Sequence, residues 1–254
     1  MNKGENAEIF IKAYCLKLKY TGEKHQVLGK INHLSDDGNL NVIEWKPEYQ
    51  EIFDKRDYEL LKKKLGLQKS SSRSKSDLKI NHIQYSLKLK KEKPSIVNHT
   101  VRPAFERICT LLGIEINTLD EIILDYWNKR EEGILTEDIK NDTDQSPFFN
   151  FEQYMMPILN YFIFTGSGAA DSKFPADKVL VVNYSSLEDE MEIFDKEQYF
   201  AHVWNKLVFS MRGGGNSKRG MPKNYPECDN FDSVSKWTRK TNDGYKGALS
   251  VRVG

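Results

Sequence analysis

The sequence predicts a mixed α/β fold, and three stretches carry the prediction. Glu5 to Leu18 places Ala7, Phe10, Ile11, Tyr14 and Leu18 on one face of a helix and Glu5, Glu8 and Lys12 on another. Asp77-Leu78-Lys79-Ile80 and Ile83-Gln84-Tyr85-Ser86-Leu87-Lys88 each alternate polar with apolar residues, and Asn81-His82 between them suits the two-residue turn of an antiparallel hairpin. Lys178-Val179-Leu180-Val181-Val182-Asn183-Tyr184 reads as a buried strand. A chain of 254 residues can bury a sizeable core around such elements. One domain is expected, with a core over residues 1–132 and a helical elaboration over 146–254.

Between the first helix and the central hairpin, Val27 to Lys46 reads as another hairpin turning at Ser35-Asp36-Asp37-Gly38. Pro47 breaks it, and Glu51 to Leu65 reads as a helix that Gly66 stops. Gln68 to Ser76 is a polar, serine-rich connection without periodicity, either a phosphate-contacting loop or a surface link. Pro103 suits the first turn of a helix ending at Gly113, and Thr118-Leu119-Asp120-Glu121 is a capping box for a helix to about Arg130. Glu131 to Gln145 is acidic and irregular. Met155, Ile158, Leu159, Phe162 and Ile163 recur at helical spacing, as a buried helix or a subunit contact. Asp195, with Gln198 three residues on, caps a helix expected to run to Met211. The chain closes in a hairpin, 236–240 with 245–253, turning at Asn242-Asp243-Gly244.

Composition narrows the function classes. No apolar run approaches the roughly 18 residues that span a membrane, and the opening Met1-Asn2-Lys3-Gly4-Glu5-Asn6 has no signal-peptide character. A cytoplasmic protein with no membrane partner is expected. Cys15, Cys109 and Cys228 are too far apart for a zinc site and odd in number, so reduced thiols are expected. From Leu61 to Pro94 eleven basic residues stand against two acids, which makes that segment the polyanion-facing part of a chain whose net charge is only +1.

Folded about Asn81-His82, residue i of the central hairpin faces residue 163 − i. Asp77 then faces Ser86, and Asp77, Lys79, Gln84, Ser86 and Lys88 share one face. An acid at the start of one strand and a lysine on its partner suit a metal-dependent phosphodiesterase: the acid holds a divalent cation, and the lysine orients or deprotonates the attacking water. The same residues fit an ordinary half-buried hairpin with a charged outer face. Glu44-Trp45-Lys46 is a rival E-x-K, but its facing residues, near Ile31 and Asn32, include no acid.

Asp77, Ser86-Leu87-Lys88 and the following Lys93 to Thr100 resemble the PD-(D/E)XK nucleases, and among them the type II restriction endonucleases. Asn2-Lys3-Gly4-Glu5 followed by Glu8 is similar to the opening of HpaII-type enzymes. The chain departs from the family at Ser86, where a second acid is expected. The resemblance implies a restriction-endonuclease-like core, a central mixed sheet flanked by helices with an added basic hairpin. It also implies Mg²⁺-dependent, sequence-specific cleavage of double-stranded DNA by a homodimer. Asp77, the Leu87 carbonyl and a helical glutamate, Glu8 before Glu5, would hold the metal. Lys88 would activate the water, and Gln84 or Ser86 would hold a water or the phosphate. DNA would be met by Arg73, Lys75, Lys90, Lys91, Asn98 and His99. The glycine-rich loop bearing Arg212, Lys218 and Arg219 and the final hairpin bearing Trp237, Arg239, Lys240, Tyr245 and Lys246 would add to that surface. A repair nuclease of the same superfamily, or a DNA-binding protein with a degenerate site, would fit the same residues.

Overall fold

A mixed set of strands and helices forms the chain, seen in a computed structural model that describes residues 3–90, 92–183, 185–186, 190–213 and 221–254. In chain order the elements begin with α1 (Lys3–Thr21), β1 (Lys24–His25), β2 (Gly29–Lys30), β3 (Leu34–Ser35), α2 (Gln50–Asp54), α3 (Tyr58–Leu65), β4 (Leu78–Ile80) and β5 (Ile83–Leu89). They continue with β6 (Ser95–Val101), α4 (Arg102–Leu112), α5 (Asn117–Glu131), β7 (Asp138–Lys140), α6 (Glu152–Asn160), β8 (Lys178–Val182) and β9 (Met191–Phe194). The last are α7 (Lys196–Val203), β10 (Leu207–Gly213), α8 (Phe231–Ser235), β11 (Arg239–Thr241) and β12 (Gly244–Val253). Contacts divide the chain into two units, residues 1–92, 163–166 and 171–199 against residues 93–162, 167–170 and 200–254. The first change of unit along the chain falls at residue 92.

Unit 1 is built on a five-stranded sheet in the order β3-β4-β5-β8-β9, in which β5 and β8 run parallel and the other pairs antiparallel. The central hairpin has the predicted register, Leu78 against Tyr85, Lys79 against Gln84 and Ile80 against Ile83. Its turn takes the left-handed conformation at both central residues, Asn81 at φ 47° and His82 at φ 74°, the geometry that matches strand twist. Asn81 is locked there, because its Oδ1 accepts from the Asn32 and His33 N–H groups and its Nδ2 donates to the Lys30 carbonyl. Leu78, Ile80 and Tyr85 on one face of the hairpin join Ile9, Phe10, Ala13 and Leu16 of α1 and Leu180 of β8 in one core.

Helix α1 departs from the amphipathic helix expected. Its buried residues include Glu8, Lys12 and Cys15 as well as the apolar stripe, so the charged face is also covered. The expected hairpin over 27–46 does not form either. Gly29–Lys30 pairs back to β1 and Leu34–Ser35 pairs to β4, and 40–42 make a helical turn. Glu44-Trp45-Lys46 accordingly lies outside any strand, with Trp45 in the core. The helix expected from Glu51 to Leu65 is interrupted at Arg56, which has φ 52°, and restarts where the Asp57 carboxylate caps Leu60 N–H. Gly66 ends it in the left-handed region, as Gly113 ends α4.

Unit 2 centres on β12, which pairs with β10 along one edge and with β11 and β6 along the other, while β7 adds to β10. The final hairpin forms, but its first strand is only Arg239–Thr241 in place of the expected 236–240, and Thr241 pairs with Gly244, so the turn is Asn242-Asp243 alone. Residues 207–211, expected to continue the helix after Asp195, and Arg212 and Gly213, expected in the glycine-rich loop, instead form the strand β10. The Asp195–Gln198 capping pair forms, yet α7 stops at Val203 because Leu207 to Met211 are buried on both faces of a sheet. Thr118 lies inside α5, which starts at Asn117 without a side-chain cap. Part of the expected irregular stretch is β7. The three cysteines are free and buried, and among the described residues no helix is long and apolar enough to cross a membrane.

Candidate functional site

Asp77 lies at the end of the regular β4–β5 ladder, and the backbone there explains its position. Its own N–H donates to the Tyr85 carbonyl at 2.8 Å, while its Oδ2 accepts from Leu87 N–H at 2.6 Å, so the carboxylate replaces a missing rung of the ladder. Ser86 is buried beside it, and Lys88, two residues along the same face of β5, donates from Nζ to Ser86 Oγ at 2.9 Å. The lysine is thus held by the residue that stands where the family's second acid would be. Burial pushes Asp77 up to about 6, with the charge of Glu8 adding to the rise and Lys88 opposing it. Burial likewise lowers Lys88, and Asp77 opposes that fall.

Glu8 reaches this place from α1. Its Oε1 accepts from Ser70 N–H at 2.6 Å and pairs with Lys12 Nζ at 2.9 Å. Ser70 Oγ donates to the Asp77 carbonyl at 3.0 Å, which ties the helix, the serine-rich connection and the hairpin together. Lys12 is fully buried. Its ammonium also meets Asp36 Oδ2 at 2.7 Å, the Gln68 carbonyl at 2.8 Å and Ser70 Oγ at 3.2 Å. Burial works to lower its pKa, but Glu8 and Asp36 outweigh that and raise it, so Lys12 is a fixed cation. The connection expected to be a mobile loop or surface link is therefore partly structural.

Lys75 belongs to the same cluster. The neighbouring backbone is fastened to 172–174, with Lys75 N–H donating to the Phe174 carbonyl and Ser172 Oγ donating to the Arg73 carbonyl. Burial first, then the charge of Lys88, pushes the half-buried Lys75 down to about 8 while Asp77 resists. Gln84 shares the hairpin face, with its backbone bound to Asp177 in both directions. Glu5 instead pairs with Lys69 at 2.5 Å. A divalent cation would find Asp77 Oδ1 and Glu8 Oε2 as the carboxylate oxygens left by these bonds, with the Leu87 carbonyl as the third ligand expected from sequence. Among the described residues no group of three or more His, Cys, Asp and Glu forms a cation cage, so a cation here would rely on two carboxylates, backbone, water and substrate.

The remaining expected contacts scatter. Arg73 is exposed, and Lys90 pairs with Glu192 at 3.0 Å and Glu190 at 3.5 Å, which neutralises it. Lys91, Lys218 and Arg219 lie outside the described residues. Trp237, expected to face a DNA groove, is fully buried in unit 2, where it packs on Phe105 and donates to Asp120 Oδ1. Lys246 is also buried, paired with Glu137 and Asp243. Tyr245 packs against Tyr225, Arg239 donates to the Thr238 carbonyl, and Lys240 is exposed. Asn98, His99, Arg212 and Lys246 line one polar cleft of about 760 Å³ in unit 2.

Sequence reasoning missed Lys12, Asp36 and Ser70 as the holders of Glu8. The Glu8–Lys12 spacing of four residues was the available signal for one of those contacts. Comparison of the chain with protein families, curated proteins and solved structures finds no match.

Proposed function

We propose that the chain is a Mg²⁺-dependent endonuclease acting on double-stranded DNA, with its active site in unit 1 and the sequence specificity of a type II restriction enzyme. The observation that supports this most is the convergence of Glu8, Asp77 and Lys88 from a helix, a ladder end and a strand, joined through Ser70 and Ser86. An ordinary charged hairpin face would be solvated. Here burial disfavours the charged forms of both Asp77 and Lys88, a cost that persists in a fold when a site uses it. The strand order of unit 1, a mixed sheet with α1 packed on it, agrees with the restriction-endonuclease-like core.

On this reading Mg²⁺, when bound, supplies Lewis acidity and charge stabilisation at the phosphate. Asp77 and Glu8 offer their remaining oxygens to it, and Lys12 and Ser70 N–H fix the orientation of Glu8. Lys88, steered by Ser86 Oγ, positions the attacking water and takes its proton, for which its lowered pKa suits it. Lys75 adds a second cation for the scissile phosphate. The chain acts as a homodimer because a palindromic site matches two-fold symmetry.

The test is cleavage of unmodified phage DNA by purified protein with Mg²⁺ and with EDTA, alongside Asp77→Ala and Lys88→Ala. Discrete bands only with Mg²⁺, lost in both variants while DNA binding persists, are expected. Full activity in either variant refutes the site. Intact DNA with folded wild-type protein under every divalent cation favours a binding protein, and a smear favours a nuclease without short-site specificity.

A further inference from the structure

The cleft of unit 2 is built unlike a phosphate-binding groove. Lys93, Arg212, Lys246 and Arg252 contribute positive charge, but Glu137 and Asp243 line the same walls, and among the described residues no apolar side chain does. Carboxylates repel phosphate, so a surface meant only for the DNA backbone would leave them out. Their presence beside the cations gives the cleft a fixed pattern of donors and acceptors. The pattern is rigid: Arg212 donates from Nε to Ser210 Oγ at 3.1 Å, from Nη1 to Glu137 Oε1 at 2.7 Å and from Nη2 to Asp138 Oδ1. Three of its five N–H groups are thereby committed and two remain. Arg252 holds the other Asp138 oxygen at 2.8 Å, and Lys246 spans Glu137 and Asp243.

The opposite wall is a bulge. In the β6–β12 pairing Val97 faces Val251 and Thr100 faces Leu249, so Asn98 and His99 together stand against Ser250. Two residues against one is the count of a β-bulge, a device that re-aims side chains and recurs next to functional sites. His99 within it has φ 43°, a left-handed conformation that a histidine in a strand adopts at a cost. The chain thus keeps a strained backbone at the place where Asn98 and His99 enter a polar cleft.

We infer that this cleft reads base edges of double-stranded DNA and that Arg212 selects guanine. Guanine presents two acceptors, O6 and N7, in the major groove, which suit the two N–H groups left on Arg212. The paired cytosine presents an N4 donor, which suits Glu137 or Asp243. Asn98 offers a donor and an acceptor to a neighbouring base. The inference rests on the reading of the chain as a DNA-acting protein, but assigns to unit 2 a role separate from hydrolysis.

The experiment selects bound duplexes from a pool with a randomised centre, in EDTA, for the wild-type chain, Arg212→Lys and Asn98→Ala, with Mg²⁺ cleavage of the same pool sequenced in parallel. Arg212→Lys keeps the charge between Glu137 and Asp138 but loses the planar fork, and Asn98 is exposed, so folding is spared. The wild-type chain is expected to enrich a short motif containing guanine. Arg212→Lys should lose the preference at one guanine by about ten-fold or more, and Asn98→Ala should lose it at another position. The same motif at the same strength in both variants, a guanine-free motif, or no enrichment by the wild-type chain overturns the inference. A wild-type chain that enriches the motif but leaves DNA intact in Mg²⁺ overturns the nuclease reading alone, and one that cuts a fixed site unaltered in both variants overturns this inference alone.

Discussion

Replacing Asp77 with Asn should stabilise unit 1 while destroying its proposed chemistry. The carboxyl is held up at about 6 against an ordinary aspartate value of 3.8, chiefly by burial. A group whose folded pKa is raised contributes stability that is full below the unfolded value and lost as pH rises through the folded one. Between those two values the folded chain binds more protons than the unfolded chain, so stability falls. The gap corresponds to about 3 kcal/mol lost above about pH 7, a figure that already contains the attraction of Lys88. Asparagine mimics the protonated acid and keeps an oxygen for Leu87 N–H. Asp77→Asn should therefore match the wild type near pH 4 and exceed it by up to about 3 kcal/mol near pH 8, or by about 6 °C in Tm for a chain of this size. Urea titrations at about pH 4, 6 and 8 measure the difference, with hydrogen exchange in α1 reporting unit 1. A variant less stable than wild type near pH 8 would refute the argument, because it would mean that the attraction between Asp77 and Lys88 exceeds the cost of burying the charge.

Two further outcomes follow from the neighbours of Asp77. Lys12→Met leaves Glu8 and Asp36 without their shared cation, and breaking a buried pair in this way costs about 3–5 kcal/mol; an unchanged urea midpoint would show that Lys12 does not hold the site. The pH profile of cleavage should rise through about 6 as Asp77 ionises and fall above about 8 as Lys75 loses its charge. In Lys75→Arg the alkaline fall should vanish, and its persistence would show that the charge of Lys75 does not set it.

The hairpin was readable because everything that specifies it is local. Period two gave its faces, Asn81-His82 gave its turn, and the turn fixed the register that brings Asp77 beside Ser86. Glu8 was readable as a candidate, but not its surroundings, since Ser70 N–H binds it directly and Lys12, its partner on the same helix, is itself held by positions 36 and 68. Helical spacing showed a polar face on α1 without showing that other charges cover it. The helix after Asp195 was overextended because Leu207 continues the stripe of Tyr199 and Val203, and a capping pair marks where a helix starts and not where it stops. Val208 and Phe209 favour a strand, and only the pairing with β12 and β7 decides between the two. That Trp237 points inward was not legible for a related reason: aromatic and basic residues alternate in many hairpins, and the Asp120 carboxylate that accepts from this indole is 117 residues away.

The neutral residue at Ser86 alters the electrostatics of the proposed site. A carboxylate there would pair with Lys88 and, standing beside Asp77, push the aspartate higher still. Ser86 accepts a hydrogen bond from the lysine without adding charge, so Asp77 carries the negative charge of the hairpin alone. Glu8 and Asp36 are balanced in part by Lys12, while Lys75 and Lys88 bring two more cations near Asp77. Before DNA arrives, the cluster thus offers a divalent cation little net attraction. A scissile phosphate would reverse that, because it meets both lysines and adds oxygens to the two carboxylates. On the proposed reading, metal and DNA therefore bind cooperatively, and the acid absent at Ser86 is supplied by the substrate.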